Sequence, residues 1–183
     1  MKKPAEYDQI DTSLFEPLAP GGHYLDILRI KEDKSKSGRD MLIIQFDTAD
    51  NDTQPKWFRK NHRGKEFYYQ GTAYIVLGDQ DWAVRNLKRF ITSVENSNPG
   101  FIFDWSSWDV FKGKKVGGVF REEEYLNKKN QVRTSTRLAW YTSWNKVSGA
   151  DIPDKKLLDT DTNIYQVNSS GMFETEDDLP FDI

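Results

Sequence analysis

Alternation of apolar and polar residues with a period of two recurs along this chain, whereas helical spacing is confined to one segment, so the fold must be β-rich. Residues 23–31 set Tyr24, Leu25, Ile27, Leu28 and Ile30 among polar neighbours, as a half-buried strand does. Residues 41–47 read as a hairpin partner across the small basic loop 34–40, which contains Gly38. A third strand falls within 56–76, past the polar stretch 50–55. Leu87, Phe90, Ile91 and Val94 then recur at three- and four-residue spacing behind Gly78 and Asp79, whose carboxylate can cap free amides; residues 96–100 end that helix. Residues 116–125 and 132–141 form two more strands around the polar turn 126–131.

Three strands, one helix and two strands is the element order of the OB-fold. The expected architecture is therefore an all-β, five-stranded barrel with a helix between strands three and four. Its domain would occupy residues 21–145. An arm over 1–20, interrupted by Pro4, Pro17 and Pro20, would lie on it through Leu14, Phe15 and Leu18. From 146 to 183 the chain loses its period and gains Ser, Asn, Asp, Gly and Thr, the composition of a linker and flexible acidic tail.

Charge is divided along the same boundary. The net charge is -3, but residues 1–150 carry 24 Lys and Arg against 20 acids, while residues 151–183 carry two lysines against nine acids. A mildly basic body with an acidic tail is compatible with nucleic acid where the total charge alone would argue against it. With no cysteine, neither a disulfide framework nor a thiolate zinc site exists. The first ten residues hold no signal-peptide core, and no stretch reaches membrane-spanning length, so a cytoplasmic, membrane-free protein is expected.

Aromatics make up 14% of the residues, more than a core of this size needs, and several stand among cations. One group comprises Lys34, Lys36 and Arg39 in the first hairpin loop, then Lys56, Trp57, Arg59 and Lys60, with Tyr69 further on. The other comprises Arg121, Tyr125, Lys128, Lys129, Arg133, Arg137 and Tyr141. Single-stranded nucleic acid exposes π-faces and phosphates together, so rings interleaved with Lys and Arg can hold it without reading sequence, each stacked base contributing about 1–3 kcal/mol. Strand alternation puts Arg133, Ser135 and Arg137 on the solvent face with Tyr141, and Leu138 and Trp140 on the core face. Trp82, Phe90, Trp105 and Trp108 are expected to serve the core and its cap.

Near the end, clustered acids precede a short apolar plug, Asp177-Asp178-Leu179-Pro180-Phe181. Such a peptide suits a partner with a basic rim around a hydrophobic pocket. It resembles the tail by which bacterial single-stranded DNA-binding proteins recruit replication and repair enzymes, although here Asp182 and Ile183 follow the Phe. Residues 18–142, through Glu95-Asn96-Ser97-Asn98-Pro99-Gly100-Phe101 and the run from Phe111 to Tyr125, resemble a family of small proteins from phages and prophages of Gram-positive bacteria. Together the resemblances imply a phage-encoded single-stranded DNA-binding protein of the bacterial host's cytoplasm. Its partners would be single-stranded DNA and replication or recombination proteins held by Asp177, Asp178, Leu179, Pro180 and Phe181, with self-association possible.

Catalysis finds few candidates. His23 and His62 are the only histidines, no serine sits in a Gly-x-Ser-x-Gly turn, and Gly113-Lys114-Lys115 lacks the spacing of a phosphate loop. Neither a cofactor nor a metal is expected, Glu122, Glu123 and Glu124 with Asp104 or Asp109 being the single weak case for Mg²⁺. The competing readings are a phage protein-interaction or structural module and, given six tryptophans, a carbohydrate-binding β-domain.

Overall fold

The computed structural model describes residues 16–61, 71–127 and 129–158. Five strands form one antiparallel sheet: β1 (Gly21–Lys34), β2 (Asp40–Thr48), β3 (Thr72–Val76), β4 (Lys115–Leu126) and β5 (Val132–Thr142), in the spatial order β3-β2-β1-β4-β5. A short helix α1 (Trp57–Asn61) precedes β3, and the long helix α2 (Asp81–Ser97) lies between β3 and β4. Among the described residues the sheet is open, with β3 and β5 as its outer strands.

β1 joins two halves of this sheet. Its first part pairs with β4, from Gly21 opposite Phe120 to Asp26 opposite Lys115, and its remainder pairs with β2, from Leu25 opposite Thr48 to Lys34 opposite Asp40. Between Ile27 and Arg29 the register shifts, leaving Leu28 as an extra residue. A bulge reverses the alternation. Leu25 and Ile27 are therefore buried on one parity and Ile30 on the other.

The sheet's inner face and α2 enclose the core. Leu25, Ile44, Phe46 and Phe120 come from the strands, and Phe90, Ile91 and Val94 from α2. Phe90 meets Phe111 and Tyr141 at ring distances of 5.2 and 4.9 Å. The helix begins two residues after Asp79: Gln80 is the N-cap, without a side-chain hydrogen bond, so the cap expected of Asp79 does not form.

Packing continues past residue 145. A 3-10 turn spans Trp144–Lys146, and Val147 is buried against the first turn of β1. A Cβ on Gly22 would come within 2.2 Å of the Val147 carbonyl oxygen, so this approach requires glycine. Further on, Lys156 forms a parallel bridge with Glu123, its N–H donating to Glu122 O and its carbonyl accepting from Glu124 N, both at 2.9 Å. That edge of β4 is open because β1 ends at Gly21, opposite Phe120. At the other terminus Leu18 is buried, as expected of an anchor; Leu14 and Phe15 lie outside the described residues. No helix among the described residues is long and apolar enough to cross a membrane.

Candidate nucleic-acid interface

The outer half of the β4–β5 hairpin is a ribbon lying past the end of β1, Arg121–Leu126 against Val132–Arg137 in continuous register, with Lys156 bridged to its β4 edge. None of these residues is buried. Alternation assigns Arg121, Glu123 and Tyr125 to one face, across from Arg137, Ser135 and Arg133 respectively. Arg121 thus stands directly opposite Arg137, a like-charge pairing that destabilises a sheet. Among the described residues of the ribbon one acid, Glu123, shares this face, and Arg121 Nε donates to its Oε1 at 2.8 Å. The Arg137 guanidinium lies 5.5 Å from the Tyr125 ring centroid, over the ring, and its Nε donates to Ser135 Oγ at 3.2 Å. Arg133 and Lys129 are exposed at the tip.

The opposite face carries Glu122 and Glu124 with the Leu126–Val132 pair. Glu124 is held by Lys155 at 2.7 Å, which keeps its carboxyl below the usual range. The three glutamates therefore do not converge. Among the described residues no group of three His, Asp or Glu side chains is arranged to hold a metal.

The first basic group is used differently. Lys34 is paired to Asp40 at 2.5 Å across the hairpin loop, with Lys36 and Arg39 exposed beside it. Lys56 is half-buried between Asp26 (3.2 Å) and Asp50 (3.5 Å). Burial opposes its charge, but the two acids outweigh that effect and raise the ammonium's pKa. Arg59 lies 3.8 Å from the fully buried Asp47, and Lys60 is exposed. Burial raises the Asp47 carboxyl above its ordinary range, opposed by hydrogen bonds from the Phe58 and Thr48 N–H groups.

Two residues expected at the interface lie in the core. Trp57 is 7% exposed; it opens α1 rather than occupying a strand, packs 5.0 Å from Phe58, and its Nε1 donates to Glu16 O at 2.9 Å. Its hydrophobic area and indole N–H are both satisfied inside the fold. Tyr141 is 6% exposed against Phe90, and burial pushes its phenol pKa up. The cause is a register shift: Phe120 pairs with Leu138 and Val119 with Trp140, so Ala139 is an extra residue that inverts the parity. Tyr141 consequently turns inward and Trp140, expected in the core, is half-buried. Leu138 is buried as expected, whereas Val132, Thr134 and Thr136, which precede it on the same parity, are not.

Tyr69, Lys128 and residues 177–181 lie outside the described residues. One exposed aromatic was missed by the sequence reading. Trp105, expected to cap the core, is 66% exposed. No protein-family model matches this chain, and no curated protein matches it.

Proposed function

We propose that this protein binds single-stranded DNA without reading its sequence, through the arginine–tyrosine face of the β4–β5 ribbon. The observation that carries the reading is the placement of Arg121, Arg133 and Arg137 with Tyr125 on one face, Arg133 and Arg137 exposed and Arg137 directly opposite the half-buried Arg121. Anionic phosphates would relieve that opposition, and the Tyr125 ring offers a π-face for a base.

The strand order, the bulged β1 shared between the two sheet halves and the helix between β3 and β4 support a partly open barrel of the OB type. The first hairpin loop then adds phosphate contacts at the other end of β1 through the exposed Lys36 and Arg39, Lys34 being paired to Asp40. The acidic segment that carries Asp177-Asp178-Leu179-Pro180-Phe181 would recruit replication or recombination proteins of a phage-infected cell. This function requires no catalysis.

Anisotropy of a labelled oligo-dT and of its duplex at two salt concentrations tests the reading. Preferential single-strand binding that weakens with salt is expected, because neutralised phosphates release counterions. The exposed Leu126–Val132 pair on the ribbon's other face favours a protein-interaction module as the second reading. Absence of binding to either oligonucleotide would overturn the first reading and leave the interaction module in front.

A further inference from the structure

Three of the large apolar side chains left in water come from one loop, the connection between α2 and β4: Ile102 (81% exposed), Trp105 (66%) and Val110 (37%). Trp105 is disfavoured a second time by its backbone, for its φ of 63° is left-handed and ordinarily reserved for glycine. The turn is fixed by Asp104, whose Oδ1 accepts from Ser106 N at 3.0 Å.

The indole is firmly supported from within. Its ring lies 5.0 Å from Phe103 and 6.1 Å from Trp108; Trp108 stacks on Phe103 at 4.9 Å and on Phe111 at 5.9 Å, and Phe111 is fully buried. A column of rings runs outward from the core and ends on Trp105. The inner rings suffice for packing; the outermost presents a pre-positioned aromatic surface to solvent.

The surroundings indicate what it would receive. Trp108 Nε1 donates to Glu32, two residues before Lys34, so the column stands beside the hairpin whose loop carries Lys34, Lys36 and Arg39. At the end of the loop Gly113 N donates to Ile27 O at 2.8 Å and Ile27 N to Lys114 O at 2.9 Å, holding a second lysine run against β1, in which Lys112 is exposed while Lys114 lies over the Phe101 ring and Lys115 over the Trp144 ring. Asp104 and Asp109, within the loop itself, repel phosphate. An uncharged π-face whose attached phosphates turn toward the flanking lysines satisfies both conditions, whereas an acidic peptide or a bare phosphate does not.

We infer that Trp105 is a base-stacking platform, a second contact for the same single strand, separate from the ribbon and resting on the single-strand reading above. It extends the path of the strand along the β1–β2 hairpin. The full chain carrying Trp105→Ala or, to relieve the left-handed backbone, Trp105→Gly is titrated with an oligo-dT of about 16 nucleotides, a length at the upper end of what one such domain covers. Trp105→Phe serves as the conservative variant, and a thermal melt of each protein verifies folding.

The expected result is a loss of about 5- to 150-fold in affinity for both Ala and Gly, with reduced tryptophan quenching, a melt near wild type for Ala and equal or higher for Gly, and substantial recovery of affinity in the Phe variant. Wild-type binding with equal affinity and quenching in all three variants would overturn the platform while leaving the ribbon reading in place. No binding by the wild type would overturn both.

Discussion

Residues 47–61 and the β4–β5 ribbon present the same vocabulary of lysine, arginine and aromatic rings, yet the fold uses it in opposite ways. In the first region Lys56 is matched by Asp26 and Asp50, Arg59 faces Asp47, and Trp57 is buried with its indole N–H bonded to Glu16. In the ribbon three arginines share a face with one glutamate and an accessible tyrosine. Interleaved charge and aromaticity therefore do not by themselves identify a ligand surface. What distinguishes the two regions is whether the cations already have acids within the fold and whether the rings have a core to enter. If the contrast is sound, substitutions in the first region reduce stability and leave nucleic-acid affinity alone, and substitutions in the ribbon do the reverse.

The largest effect is expected at Asp52. Its buried carboxylate accepts from His23 Nδ1 (2.9 Å), Tyr24 N (2.7 Å) and Gln54 N (2.9 Å), while His23 Nε2 bonds to Ala19 O at 2.8 Å, so one acid ties together β1, the 49–56 loop and the N-terminal segment. Asp52→Ala leaves these partners unsatisfied and should lower unfolding free energy by about 3–5 kcal/mol in a denaturant titration. Burial works against the Asp52 charge, but the hydrogen bonds outweigh it and hold the carboxyl below its ordinary range. The contribution of a depressed carboxyl is fully present above its unfolded value of about 4 and is lost as pH falls through the lower folded value. Wild-type stability measured through that acid window should fall more steeply than that of Asp52→Asn; parallel curves would show that the pair does not support the fold. Trp57→Ala should cost a comparable amount, about 3–5 kcal/mol, through the cavity it leaves. Its remaining folded fraction should bind oligo-dT as the wild type does, and selective loss of affinity at full stability would reverse the assignment of Trp57 to the core.

In the ribbon the expected signs exchange. Arg133→Ala with Arg137→Ala should reduce the slope of log affinity against log salt by about 1.4, near 0.7 for each single-strand phosphate contact removed. Stability should stay within about 0.5 kcal/mol of wild type, because both side chains are exposed and one stands opposite another arginine. An unchanged salt slope would mean that the ribbon does not meet phosphates.

The strand pattern was legible because a period of two survives wherever one face meets the core. All five strands lie where alternation put them, four of them with ends displaced by three residues or fewer. What was not legible is where that period is interrupted. The extra residues Leu28 and Ala139 invert the parity of everything beyond them, and no local residue type announces either one. Tyr141 was misplaced for that reason. Trp57 was misplaced because α1 depends on contacts distant in sequence, the Asp47 carboxylate receiving Phe58 N and Glu16 O receiving the indole. Lys156 is docked by backbone hydrogen bonds to β4, which carry no compositional signature. Trp105 lies in a non-periodic loop, where its exposure has no sequence correlate.

The smallest expected effect tests the contrast most directly, at Lys56. This residue sits at φ 52°, and its backbone N–H donates to Thr48 O at 3.0 Å at the entrance to α1. A left-handed lysine costs roughly 1–2 kcal/mol, whereas a partly exposed ion pair such as that with Asp26 returns about 0.2–1 kcal/mol. Lys56→Gly should therefore be as stable as wild type or slightly more so despite losing both acids as partners. Lys56→Ala, which loses the pair and keeps most of the backbone cost, should fall below Gly by about 1 kcal/mol. Because Asp26 and Asp50 already neutralise this lysine, neither variant should change the salt slope of oligo-dT binding. A slope lowered in both would place Lys56 on the strand's path and extend the ligand surface into the region whose cations otherwise serve the fold.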